Sequence, residues 1–172
     1  PIQILWVNLV SDGIPALALS VEPPEKDVMR RRPAKPNENI FSRGLGRHIL
    51  WVGILMAAVC LGAGFFYWRA GNPAWQTIVF NIMCLSSLSH VLAIRSDRYS
   101  LFQAGLFTNK PLLASVLFTF FLQLVVIYSP FFQGLFKTVS LSLKEMIVCV
   151  LLSSIIFVAV EIEKWFIRRK IK

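Results

Sequence analysis

Residues 5–19 read LWVNLVSDGIPALAL, with Asp12 standing inside an otherwise apolar run. A membrane-crossing helix needs about 20 such residues. A carboxylate at mid-membrane costs about 2.5–3.5 kcal/mol on insertion scales, so it faces a partner or a water-filled path. Asn8 lies four residues before Asp12, and Ser11 three after Asn8. At about 3.6 residues per turn these three fall within an arc of about 100°. One helix face therefore offers an amide, a hydroxyl and a carboxylate. Gly13 and Pro15 follow at once. Glycine is permissive, and proline lacks an N–H and crowds the preceding turn, so the helix is expected to be interrupted at Gly13–Pro15, with carbonyls freed. Discontinuous membrane helices bind ions through such groups. Hard cations such as calcium take about 6–8 oxygens, so Asn8, Ser11 and Asp12 supply only part of a set. The plainer reading makes Asp12 and Asn8 hydrogen-bonding glue to a neighbouring helix. It expects a regular helix with Asp12 paired to a basic or polar side chain.

The rest of the chain supports lipid as solvent. Of its 172 residues 56% are hydrophobic and only 16% charged, with a mean hydropathy of +0.64. A water-soluble domain of this size is less apolar and closer to a quarter charged. Four further apolar runs follow, giving helices at about 1–20, 48–68, 74–94, 111–136 and 141–163. The expected fold class is an all-α membrane protein, a bundle of five transmembrane helices in one membrane domain, 1–172. The chain opens at Pro1 without Met or a cleavable signal, which reads as a fragment that starts within a helix.

The net charge of +9 is unevenly placed. Residues 21–47 hold seven basic residues; 95–110 hold Arg95, Arg98 and Lys110; the tail holds Lys164, Arg168, Arg169, Lys170 and Lys172. These account for 15 of the 18, while the connections near Gly71 and Ser140 carry only Arg69, Lys137 and Lys144. The positive-inside rule then makes 21–47, 95–110 and the C-terminus cytoplasmic. The basic residues form juxtamembrane anchors, not the basic face of a soluble module, which argues against nucleic acid and for anionic membrane lipid as a partner. Trp51, Tyr67, Trp68, Trp75, Tyr99 and Trp165 lie near helix ends, as interfacial aromatics do. Phe118, Phe120 and Phe121 read as lipid-facing or packing residues. Cys60, Cys84 and Cys149 sit singly in apolar runs and read as small helix-packing residues.

The stretch WVNLVSDGIPALAL, followed by EPPEKDVMRRRP, resembles the sixth membrane helix and following cytoplasmic loop of P-type calcium ATPases. The family pattern is Asn, two apolar residues, Thr or Ser, Asp, Gly, an apolar residue and Pro, then an acidic-Pro-Pro loop ending in basic residues and Pro. Residues 48–172 match in helix count, topology and spacing. The resemblance implies that the chain is the sixth-to-tenth-helix region of an ATP-driven pump. Asn8, Ser11 and Asp12 would then be metal ligands for transported Ca2+, and the loop from Glu22 to Pro33 would touch a phosphorylation domain. Remaining domains and upstream membrane helices would be its partners. Two-site calcium pumps carry a carboxylate in the eighth helix; here 74–94 contains no Asp or Glu, and Ser87 falls at that position. This looks like the one-ion arrangement of secretory-pathway-type or bacterial pumps, which adds Mn2+ as a cargo.

No phosphate-cradling glycine loop is present, and no Asp stands in a phosphorylation-motif context. The chain by itself is not expected to hydrolyse ATP; the resemblance places ATP, Mg2+ and phosphoryl transfer to an Asp in other domains. Asn81, Ser86, Ser87, Ser89 and Gln123 are candidates for interhelical hydrogen bonds. Glu161 and Glu163 are expected to pair locally near the basic tail. His90 reads as an interface histidine close to Arg95, proton counter-transport being its sharper reading. Two further functions stay open: a non-transporting scaffold that binds lipid or partner helices, and a Na+, K+ or H+ pump.

Overall fold

Lipid as solvent inverts the usual arrangement: apolar side chains face outward and polar ones must find partners inside. The computed structural model describes residues 1–23, 45–96, 100, 101, 105 and 107–171, with side chains to 169, and contains no strand among them. Five helical spans are long and apolar enough to cross a membrane: Ile2–Leu19, Leu45–Arg69, Trp75–Ala93, Lys110–Tyr128 and Leu143–Arg169. The expected five-helix integral membrane fold is therefore present.

The first span has three parts: α1 (Ile2–Trp6), a π-helical segment (Val7–Asp12) and α2 (Gly13–Leu19). Then follow α3 (Leu45–Arg69), α4 (Trp75–Ala93), α5 (Lys110–Tyr128), α6 (Pro130–Phe136) and α7 (Leu143–Ile171). The irregular turn thus lies just upstream of Gly13–Pro15, and Gly13 to Leu19 is regular α-helix. The reason is directional. A proline disturbs the carbonyls of the turn before it, not those after. The run 111–136, read as one helix, divides into α5 and α6. Pro130 forces Ser129 into extended backbone (ψ 124°), which ends α5. The α6 helix ends at Lys137 in the left-handed region (φ 53°). The α7 helix continues past 163 through the basic tail. Most of the loop 21–47, namely 24–44, lies outside the described residues, as do Arg98 and Tyr99.

The centre of the bundle is α4. Of its span 61% is buried, against 17–33% for the other four. It packs against α3, α5, α7 and the π segment. Gly64 permits the close approach of α3, since a Cβ there would lie 2.8 Å from Val79 Cγ2. Leu17, Leu61, Phe66 and Phe131 point outward, each at least 67% exposed, and Phe118 and Phe121 are exposed too. Thr77, Asn81, Ser86, Thr119 and Gln123 are buried. A polar ladder crosses the interior. Trp6 Nε1 donates to Gln123 Oε1 (2.9 Å), and Gln123 Nε2 donates to Asn81 Oδ1 (3.4 Å). Asn81 Nδ2 reaches Met146 Sδ on α7 (3.4 Å). All three cysteines are free and buried.

Candidate cation site

A π-helix bonds each N–H five residues back instead of four, which widens the turn and recurs at functional sites. Here it covers the whole polar triad, and Asp12 closes it at φ −97°, away from ordinary α values. The wider turn changes the shared face expected for a regular α-helix. Ser11 is swung into the bundle and is fully buried, Asp12 is half-buried, and Asn8 is exposed on the side that this chain leaves uncovered. Gly13 keeps the next turn close, with its would-be Cβ 3.5 Å from the Asn8 carbonyl oxygen.

The π segment is held against α4. Val7 packs with Phe80, Cys84, Val126 and Phe136. One turn on, Ser11 meets the Cys84 side chain, and Asp12 lies within electrostatic reach of it. The Ser11 hydroxyl faces the weakly hydrogen-bonding Cys84 thiol and has no oxygen or nitrogen partner among the described residues; the Ser86 and Thr119 hydroxyls also lack one. A buried hydroxyl left unsatisfied costs about 1–3 kcal/mol in desolvation. Asp12 and Asn8 likewise make no side-chain hydrogen bond or ion pair among the described residues. The glue reading expected a regular helix with Asp12 paired; the segment is π-helical, and Asp12 has no such pair among the described residues. Ser87 is buried on α4, three residues after Cys84. Among the described residues no cluster of three His, Cys, Asp or Glu side chains forms a metal site. The donors present are hard oxygens, fitting an alkaline-earth or similar cation, and too few to complete its shell.

The loop-side end of the first span is fastened by a cluster around Arg95 and Glu22, a pairing not anticipated from the sequence. Arg95 Nε and Nη2 donate to the two carboxylate oxygens of Glu22 at 3.1 and 2.7 Å. Arg95 also donates to Thr108 Oγ1 (2.8 Å) and the Gly105 carbonyl (3.2 Å). Asn109 Nδ2 donates to Glu22 (2.7 Å) and to the Ala18 carbonyl (3.2 Å), while its Oδ1 caps α5 at Leu112 N (2.8 Å). Glu22 is the acid of the acidic-Pro-Pro motif, and this was the one signal available in the sequence. Its partners are more than 70 residues away, beyond any local pattern.

Comparison with known proteins agrees with this architecture. The family model described as "Cation transporting ATPase, C-terminus" matches residues 1–166. A calcium-transporting ATPase of Bacillus subtilis (strain 168) is 43% identical over 145 residues, covering 83% of this chain and 16% of that protein. The mouse protein calcium-transporting ATPase type 2C member 2 is 36% identical over 168 residues, covering 94% of this chain and 18% of the relative. Calcium-transporting ATPase 1 of Saccharomyces cerevisiae is 32% identical over 176 residues, covering 98% of this chain and 18% of the relative. The chain thus spans under a fifth of the length of these relatives. Five apolar spans, a π-helical turn around an intramembrane Asp and a match along nearly its whole length place this chain in the cation transporting ATPase, C-terminus family.

Proposed function

We propose that this chain is the C-terminal membrane part of an ATP-driven calcium pump and supplies one side of its ion site. Asp12 contributes charge, Ser11 and Asn8 contribute neutral oxygens, and the π segment offers carbonyls. The observation that carries the reading is the fully buried Ser11 hydroxyl, which meets only the weak Cys84 thiol, beside an Asp12 with no pair among the described residues, in a π-helical turn. A passing cation would satisfy both, and the upstream helices of the whole protein would complete its shell on the side where Asn8 is exposed. The names of the relatives favour Ca2+ as cargo. The absence of any Asp or Glu from α4, with Ser87 in the corresponding place, favours one ion per cycle, with Mn2+ as a second cargo. ATP, Mg2+ and the phosphorylated Asp belong to the other domains, which would act on the first span through loop 21–47. Loop 21–47, loop 95–110 and the C-terminus lie in the cytoplasm, by their basic residues, and the tail lies against anionic lipid.

The test uses the full-length protein in inverted vesicles, reading calcium uptake and calcium-dependent phosphoenzyme formation. Asp12→Asn is expected to reduce both to background. Ser11→Ala is expected to raise the calcium concentration for half-maximal phosphorylation about tenfold, or about 1.4 kcal/mol. Uptake at the wild-type level in Asp12→Asn would refute the assignment. Two calcium ions bound per protein would refute the one-ion form.

A further inference from the structure

On the side of the bundle holding the basic loops, three titratable groups from three helices form an unbroken line. His48 Nδ1 on α3 lies 2.5 Å from Glu163 Oε2 on α7. His48 Nε2 lies 3.3 Å from Nε2 of His90 on α4. The other Glu163 oxygen accepts from Trp51 Nε1 at 3.0 Å. His48 and Glu163 are largely buried, at 19% and 18% side-chain exposure.

The two imidazole planes are 20° apart with centroids 5.6 Å apart. That separation equals the 3.3 Å between the Nε2 atoms plus one ring radius on each side, so the rings meet end to end. A metal bridging two collinear nitrogens at about 2.0–2.1 Å each would hold them about 4 Å apart, and an angular metal would break the collinearity. The contact is therefore an N–H···N hydrogen bond with one proton between the two nitrogens. Glu163 selects the tautomer: His48 gives its Nδ1–H to the carboxylate and turns its Nε2 lone pair toward His90 Nε2–H.

We propose that Glu163, His48 and His90 form a proton-binding relay, separate from the cation site, that stores one proton and clamps α3 to α4 and α7 while it does so. In the neutral-imidazole form the donors to the Glu163 carboxylate among the described residues are the neutral His48 and Trp51. One added proton goes to the free Nδ1 of His90 and leaves every hydrogen bond in place. It makes the bond to His48 charge-assisted and supplies a counter-charge to Glu163. A second proton has only two destinations. On His48 Nε2 it sets two N–H groups head to head; on Glu163 it cancels the carboxylate charge, so that His48 Nδ1–H keeps only a neutral acceptor. The first opens the line and the second weakens it, and either loosens the hold on α3. The charged neighbours act on this balance without replacing it. From α7, Lys164 donates to the Ala93 carbonyl and pairs with Glu161 at 3.4 Å. From α3, Arg47 lines the same shallow hollow as Glu163. Arg95, beyond the end of α4, is taken by Glu22.

The proposal does not rest on the cation-site assignment and is tested without transport. Full-length protein labelled with 15N-histidine, in nanodiscs, is titrated by NMR, with His48 and His90 assigned from His48→Gln and His90→Gln. The expected result is coupling. Each histidine reports both of two steps more than about one pH unit apart. His90→Gln reduces His48 to a single step, and Glu163→Gln alters both histidines. Single, independent steps unchanged by substitution of the partner would overturn the proposal. If either glutamine variant fails to fold, Glu163→Gln alone decides: a change confined to His48, or to neither histidine, overturns it.

Discussion

Replacing Glu22 by Ala tests whether the loop-side end of the first span is fixed by one ion pair. Arg95 keeps a side-chain exposure of only 2%, and Glu22 of 19%. Removing the carboxylate deletes two Arg95 hydrogen bonds and one from Asn109. Of the described contacts the guanidinium keeps Thr108 Oγ1 and the Gly105 carbonyl, neither of which carries charge. Removing one member of a buried pair costs about 3–5 kcal/mol. Glu22 is partly hydrated already, which places the loss near the lower end, at about 3 kcal/mol. Arg95→Ala is expected to cost less, about 1.5–3 kcal/mol, since the freed carboxylate keeps Asn109 and takes up water. The double replacement Glu22→Leu with Arg95→Met is expected to recover most of the loss, because two apolar side chains leave no buried charge behind. The assay is equilibrium unfolding of the full-length protein in mixed micelles under rising SDS, read by tryptophan fluorescence. If Glu22→Ala and Arg95→Ala both stay within about 0.5 kcal/mol of wild type, as surface substitutions do, the pair is not a clamp.

Three further outcomes follow from the packing. Gly64→Ala places a methyl 2.8 Å from Val79 Cγ2; the β-branched neighbour has one comfortable rotamer in a helix, so α3 and α4 must separate, at about 1–3 kcal/mol in the same unfolding assay. An unchanged midpoint would show that this contact is not tight. Gln123→Leu removes the middle of the Trp6–Gln123–Asn81 ladder and is expected to cost about 0.6–1.7 kcal/mol, the range for membrane interhelical hydrogen bonds; a stabilised variant would contradict it. Pro15→Ala restores an N–H to the turn after the π segment. It is expected to tighten the preceding π segment toward α-helix and to weaken cation-dependent phosphorylation, whereas unaltered cation dependence would dissociate the proline from the site.

The five spans, their order and the special character of the first were legible because hydrocarbon imposes its rule on every residue separately. A run of about 20 apolar residues and a lone Asp can each be recognised without knowing any neighbour. The Asn-x-x-Ser-Asp-Gly-x-Pro pattern of residues 8–15 located the candidate site for the same reason, since its chemistry is contiguous. The facing of its members was not legible. Arithmetic on a regular α-helix put Asn8 and Ser11 on one face, whereas the π segment buries Ser11 against α4 and leaves Asn8 outward. A backbone that departs from 3.6 residues per turn cannot be counted with that period. The end of α5 at Ser129 was written in Pro130, but it went unread because the apolar run continues across it.

By itself, then, the sequence determined the solvent, the number of crossings and the polar residues of the candidate site, all of them local consequences of composition and spacing. Only the tertiary structure decided that α4 is the central helix, that Glu22 meets Arg95 and Asn109, and that His48 meets His90 and Glu163. Those pairings join residues 42 to 115 positions apart. They are set by how whole helices pack, a property of the bundle that no single stretch of the chain carries.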